Sequence, residues 1–225
     1  MSMKMPYSEA KRSILFWKNV SRIVSIAFHP LLLPTVLFML LSRYASITLG
    51  QFAANPSPLL IIIFVSTFIL PLLLFVIFIM IVYGKFSIDK VLLDGRQDRV
   101  LPFLFIGIFY CGLTYLLYTR IELPGLITLL IASMSLCILV VGLVSTIWKV
   151  SAHAAGITGL IGFMIVIQAL FPDMALLRPV VGMIIMAGFV LSARLYLKAH
   201  TPAEILGGCI IGAGISSLVY VIATL

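Results

Sequence analysis

The sequence predicts an all-α polytopic membrane bundle of about seven transmembrane helices, a six-helix core plus one, and three observations carry that reading. Of 225 residues, 63% are hydrophobic and only 10% charged, with mean hydropathy +1.26; a soluble domain carries about 25% charged residues. So large an apolar excess does not fit into one core and must face lipid. The apolar residues also fall into runs long enough to span, which takes roughly 20 residues. Finally, these runs lack the two-residue alternation of a barrel strand. In hydrocarbon only helices or closed barrels satisfy every backbone N–H and C=O, so helices are expected.

Residues 1–22 read as a basic interfacial segment, with Tyr7, Ile14, Leu15, Phe16 and Trp17 set among Lys11, Arg12, Lys18 and Arg22. Lys18 and Arg22 interrupt its apolar stretch, which continues into a full span, so it does not read as a cleavable signal. Residues 23–225 then form one transmembrane domain. Its spans are predicted over Ile23–Ser42, Leu59–Tyr83, Leu101–Thr119, Leu126–Trp148, Ala152–Phe171, Val180–Leu197 and Ala203–Leu225. Pro30, Pro34 and Pro71 predict kinks in the first two spans. Pro124-Gly125 and Pro172-Asp173 mark tight turns. Gly208 and Gly212, four residues apart, predict that the last helix packs closely on a neighbour. Cys111, Cys137 and Cys209 all fall inside apolar runs and read as small hydrophobes, not as a disulfide or metal framework.

Span parity sorts the polar residues. The N-terminal segment, the Lys85–Arg99 loop, the Trp148–His153 junction and the Arg194–Glu204 junction are separated by pairs of helices and share one side. A re-entrant first span would reverse the parity of the N-terminus. The net charge is +8. The tendency of Lys and Arg to remain in the cytoplasm accounts for Lys4, Lys11, Arg12, Lys18 and Arg22, and leans that face toward the cytoplasm. It does not account for His153, His200 and Glu204 at the starts of helices. Ionised groups cost several kcal/mol in lipid and mark function by default.

Three clusters stand out on this face. Ser151 is a good N-cap for the fifth span, and His153 lies two residues inside, where a helix N-terminus attracts anions. Thr201-Pro202-Ala203-Glu204 is a capping-box pattern opening the last span, one turn after His200. Glu204 can therefore cap the helix and orient the His200 ring together. Arg194 precedes His200 by six residues, and a turn at Lys198-Ala199 would bring its guanidinium back over the same spot.

In these motifs the chain resembles the type-2 phosphatidic acid phosphatase superfamily of membrane lipid phosphatases. The third motif of that family is Ser-Arg, five residues, His, three residues, Asp; here Ala193-Arg194, His200 and Glu204 stand in those positions. The second, Pro-Ser-Gly-His, appears as Val150-Ser151-Ala152-His153. The first, Lys, six residues, Arg-Pro, is diverged, with Lys90 followed by Arg96, Arg99 and then Pro102. The resemblance covers roughly Lys85 to the C-terminus.

The resemblance implies a phosphohydrolase that needs no metal or cofactor. His200 would attack phosphorus, Glu204 would hold its tautomer, and His153 would protonate the leaving alkoxide and then activate water. Lys90, Arg96 or Arg99, Arg194 and Ser151 would neutralise the phosphoryl oxygens. Phosphoryl transfer asks for these parts in any case, being mostly positioning and charge stabilisation. The expected substrate is an amphiphile whose tail stays among membrane lipids, a phospholipid or polyprenyl (di)phosphate; no nucleic-acid partner is expected. Other classes compete. One is a diverged lipid-phosphate-binding or transport protein. Another is a magnesium-dependent prenyl transferase using Asp94 and Asp98, at i and i+4, although no second Asp-rich loop accompanies them. A haem protein with axial His153 and His200 is a third. Activity that survives EDTA separates the phosphatase from the magnesium enzyme.

Overall fold

The computed structural model describes residues 7–83, 96–121 and 123–225, and these contain helices and no strand. Among them, seven stretches are long and apolar enough to cross a membrane: Arg12–Tyr44, Ser57–Phe78, Val100–Arg120, Gly125–Val144, Ala152–Leu170, Leu177–Tyr196 and Pro202–Thr224. The chain is an all-α integral membrane protein, and six of the seven stretches closely track the predicted spans.

The first span differs. Helix α1, Tyr7–Ala27, runs without a break across residue 22, where the interfacial segment was expected to end. Arg12, Lys18 and Arg22 do not stop it because all three are exposed, while Ser21 and Ser25 between and beyond them are buried. The break comes at Phe28-His29, followed by a 3-10 turn, Pro30–Leu32, and helix α2, Leu33–Tyr44. Pro30 sets this point: a residue before proline is biased out of helix, and His29 is extended at φ −60°, ψ 136°. Pro34 falls in the first turn of α2, where a missing N–H removes no helix bond. The span does not turn back. Tyr44 O, at the far end of α2, accepts the N–H of Ala175 from the loop between the fifth and sixth spans, at 3.4 Å.

The second span is one rod in three pieces: α3, Ser57–Phe64, a π turn, Val65–Ile69, and α4, Leu70–Tyr83. Pro71 has no N–H to offer Thr67 O one turn back. The hydroxyl of Tyr110 donates to that carbonyl instead, so a neighbour satisfies what proline leaves open, as lipid demands. Tyr110 belongs to α5, Arg96–Arg120, which pairs with α6, Gly125–Val144.

The last three helices are α7, Ala152–Leu170, α8, Leu177–Tyr196, and α9, Pro202–Thr224. Between helices in lipid, close packing replaces the hydrophobic drive that water would supply, and α7 and α9 meet nearly backbone to backbone. A Cβ on Gly208 would strike Ser151 O and lie 2.9 Å from Ala154 Cβ; one on Gly212 would strike Ala155 O and lie 2.7 Å from Gly159 N. The small-residue pattern thus does what its spacing predicts. Its consequence is positional: the first turn of α9 is pressed against the start of α7, and Ser151 N–H donates to Glu204 O at 3.1 Å.

Candidate functional site

Helix α8 ends in a left-handed turn. Lys198 has φ 54°, and the Ala199 N–H donates back to Arg194 O at 3.1 Å, the long closing bond of a Schellman motif. The turn reverses the chain within a few residues and sets Arg194, in the last turn of α8, beside His200, just before α9.

Helix α9 opens with the expected capping box. Thr201 Oγ1 accepts the Glu204 N–H at 3.3 Å, and Glu204 Oε2 accepts the Thr201 N–H at 3.1 Å. The same Oε2 lies 3.0 Å from His200 Nδ1. A carboxylate only accepts, so this bond puts a proton on Nδ1 and leaves the lone pair of the neutral ring on Nε2. Burial enforces the arrangement, since the His200 side chain is 1% exposed. One carboxylate oxygen therefore caps the helix and fixes the imidazole.

The start of α7 supplies the second imidazole. Ser151 is the N-cap and wholly buried, with its Oγ accepting the Ala154 N–H at 3.3 Å. Its hydroxyl is thus engaged by the helix, and Ala152 and His153 are the residues that line the adjacent cavity. His153 Nε2 lies 3.0 Å from Ser25 O on α1; a carbonyl only accepts, so His153 Nε2–H donates to it.

His153, Arg194 and His200 line one cavity of about 260 Å³. They come from separate stretches of chain, as their shared membrane side required. A fourth polar residue joins them: His29, at the break between α1 and α2, stands edge to face on His153 with ring centroids 5.9 Å apart. His29 belongs to none of the three motifs. The signal was available, because Ser21, Ser25 and His29 recur every fourth residue in a segment that is apolar apart from Arg22.

Below these residues the cavity is apolar, walled by Leu33, Phe75, Ile106, Met134, Ile138, Val141, Leu160, Phe163 and Ile215, with Tyr110 and Cys137. From His153 to Phe163 the wall follows ten residues of α7, about 15 Å at 1.5 Å per residue, or half of a hydrocarbon core of about 30 Å. A polar end thus adjoins an apolar slot about one leaflet deep.

Lys90 lies outside the described residues, as does Asp94. Arg96 and Arg99 open α5, and their side chains, with that of Asp98, also lie outside the description. Phe103, one turn on, lines the cavity, so α5 points its first turn toward the same end of the bundle. Among the described residues no three His, Cys, Asp or Glu side chains converge on a metal position. Comparison of the chain with family models, with curated proteins and with solved structures finds no match.

Proposed function

We propose that this protein hydrolyses a lipid phosphate through a phosphohistidine on His200, in line with the resemblance of its motifs to membrane lipid phosphatases. The observation that carries the reading is the cavity itself, with three imidazoles and a guanidinium at one end and an apolar slot beyond them. Such a shape suits an anionic headgroup with a hydrocarbon tail, a phospholipid or a polyprenyl (di)phosphate.

In the first half-reaction, His200 Nε2 forms a bond to phosphorus as the bond to the lipid oxygen breaks, and His153 gives the departing alkoxide a proton. In the second, His153 takes a proton from water as the hydroxide attacks phosphorus, releasing inorganic phosphate and restoring His200. Glu204, through Nδ1–H, stabilises the ring as it becomes positively charged. Arg194 stabilises the equatorial oxygens, the kind of preorganised charge that does most in a site screened from water. A covalent intermediate divides one difficult displacement into two easier ones. The exposed basic residues of α1, Arg12, Lys18 and Arg22, support a cytoplasmic site by the positive-inside tendency.

One observation favours a second reading. The His153 Nε2–H is already donated to Ser25 O, an arrangement that suits a protein holding a lipid phosphate without turnover. Phosphate release from a panel of lipid phosphates in detergent, with EDTA present, decides between them. Turnover predicts release by wild type that EDTA leaves unchanged, and a fall of about 10²–10⁴-fold in His153→Ala, the usual contribution of general acid–base catalysis. Binding without release across the panel would favour the second reading.

A further inference from the structure

The N-terminal helix brings to the cavity one imidazole that none of the three motifs contains. Ser21 and Ser25, four residues apart on one face of α1, are buried against the bundle, and His29 follows four residues on, just past the end of the helix. The opposite side of α1 exposes Phe16, Ile23 and Ile26. A helix that turns its polar side toward protein and its apolar side outward is arranged for lipid outside and a polar occupant inside.

His29 closes this stripe. Its Nδ1 accepts the Leu31 N–H at 3.3 Å, so the proton of the neutral ring is carried on Nε2. The ring is fixed edge to face on His153 and lines the cavity with Arg194 and His200. His153 donates its own Nε2–H to Ser25 O, so on the α1 side of the cavity the remaining imidazole N–H is that of His29.

We infer that His29 binds phosphate at this site, its Nε2–H donating to a phosphoryl oxygen of the group held by Arg194 and His200. The inference rests on the lipid-phosphate reading above. It gives the headgroup ligands from three places, the joint of α1 and α2, the end of α8 and the start of α9. Binding would thereby tie the N-terminal helix to the α7–α9 pair.

Two substitutions separate the ring nitrogens of His29. Asparagine keeps an acceptor near the Nδ1 position and remains a good N-cap, but does not reach as far as Nε2. Glutamine carries an amide N–H near the Nε2 position and loses the cap. The full-length protein in detergent is titrated with inorganic phosphate, and separately with a short-chain phosphatidate, following the rise in unfolding temperature that ligand binding produces. Without ligand, His29→Asn is expected to unfold with wild type, whereas His29→Gln unfolds earlier. With ligand, His29→Asn is expected to bind about tenfold more weakly, the loss of one hydrogen bond to a charged group, and His29→Gln within about threefold of wild type. That pattern in both titrations assigns the contact to the phosphoryl group whether lipid-borne or free; confinement to the phosphatidate assigns it to a lipid headgroup. Unchanged affinity in His29→Asn overturns the inference and leaves the lipid-phosphate reading standing. Weakening that tracks the loss of stability, greater in His29→Gln than in His29→Asn, assigns His29 to structure alone and also overturns it. A wild type stabilised by neither ligand overturns both.

Discussion

Replacing His200 by alanine is expected to lower phosphate release from a lipid phosphate on the order of 10⁴–10⁶-fold, the loss seen when a nucleophile is removed from a unit that acts together. Glu204→Gln probes the same bond from the other side. Glu204 Oε2 meets both His200 Nδ1 and the Thr201 N–H, at 3.0 and 3.1 Å, so a neutral amide there affects chemistry and helix capping together. The chemical loss is the larger: an amide holds the imidazole less firmly in the required tautomer and stabilises the cationic ring less. A fall of about 10²–10⁴-fold in kcat is expected, by analogy with carboxylate-to-amide changes beside a catalytic histidine. Thr201→Ala isolates the cap. It removes the acceptor of the Glu204 N–H and is expected to cost about 1 kcal/mol of stability, with release nearly unchanged because the Glu204–His200 bond remains. Kinetics and thermal unfolding on the three variants check this; a Thr201→Ala protein as slow as Glu204→Gln would assign Glu204 to capping alone.

The second large effect is expected at the α7–α9 contact. Gly208→Ala puts a methyl onto Ser151 O and 2.9 Å from Ala154 Cβ, and Gly212→Ala puts one onto Ala155 O and 2.7 Å from Gly159 N. Backbone atoms cannot move aside without moving the helix. Each substitution is expected to cost at least the 1–3 kcal/mol typical of overpacking, roughly, and Gly212→Leu to separate the pair. Because Ser151 N–H reaches Glu204 O across this contact, Gly208→Ala should weaken phosphate binding although Gly208 does not line the cavity, whereas Gly212 lines it and its variants also narrow the slot. Gly214 is the control: it lies on the same helix with nothing within 4 Å of a built Cβ. Gly214→Ala is expected to be neutral or to stabilise by about 0.5–1 kcal/mol. Unfolding temperatures in detergent that rank the three alanines alike would contradict the packing account.

Much of this architecture could be read from the sequence because the signals are local. Runs of apolar residues marked the spans, Thr201 to Glu204 the capping box, and Gly208 with Gly212 the close helix pair, and each depends only on neighbours within a few positions. The features that were missed depend on distant chain. Arg12, Lys18 and Arg22 look like a boundary when counted as charges, but α1 passes through them because their side chains are exposed. The π turn at Val65–Ile69 is hidden in a run that is apolar apart from Ser66 and Thr67 and has no periodicity to interrupt. His29 gains meaning only from His153, far along the chain. Ser151 was legible as a cap, but not the depth of its burial, which comes from Gly208 across the helix pair.

The most direct test of the account is to look for the phosphoryl group on the protein. Wild type and His153→Ala are mixed with a lipid phosphate carrying a labelled phosphorus, quenched in base, where a phosphorus–nitrogen bond survives, and digested for peptide mapping. The account predicts label on the peptide bearing His200, acid-labile and base-stable, accumulating further in His153→Ala because hydrolysis of the intermediate is slowed. Steady release of phosphate by wild type with no label on that peptide, or with label on a different side chain, would contradict it.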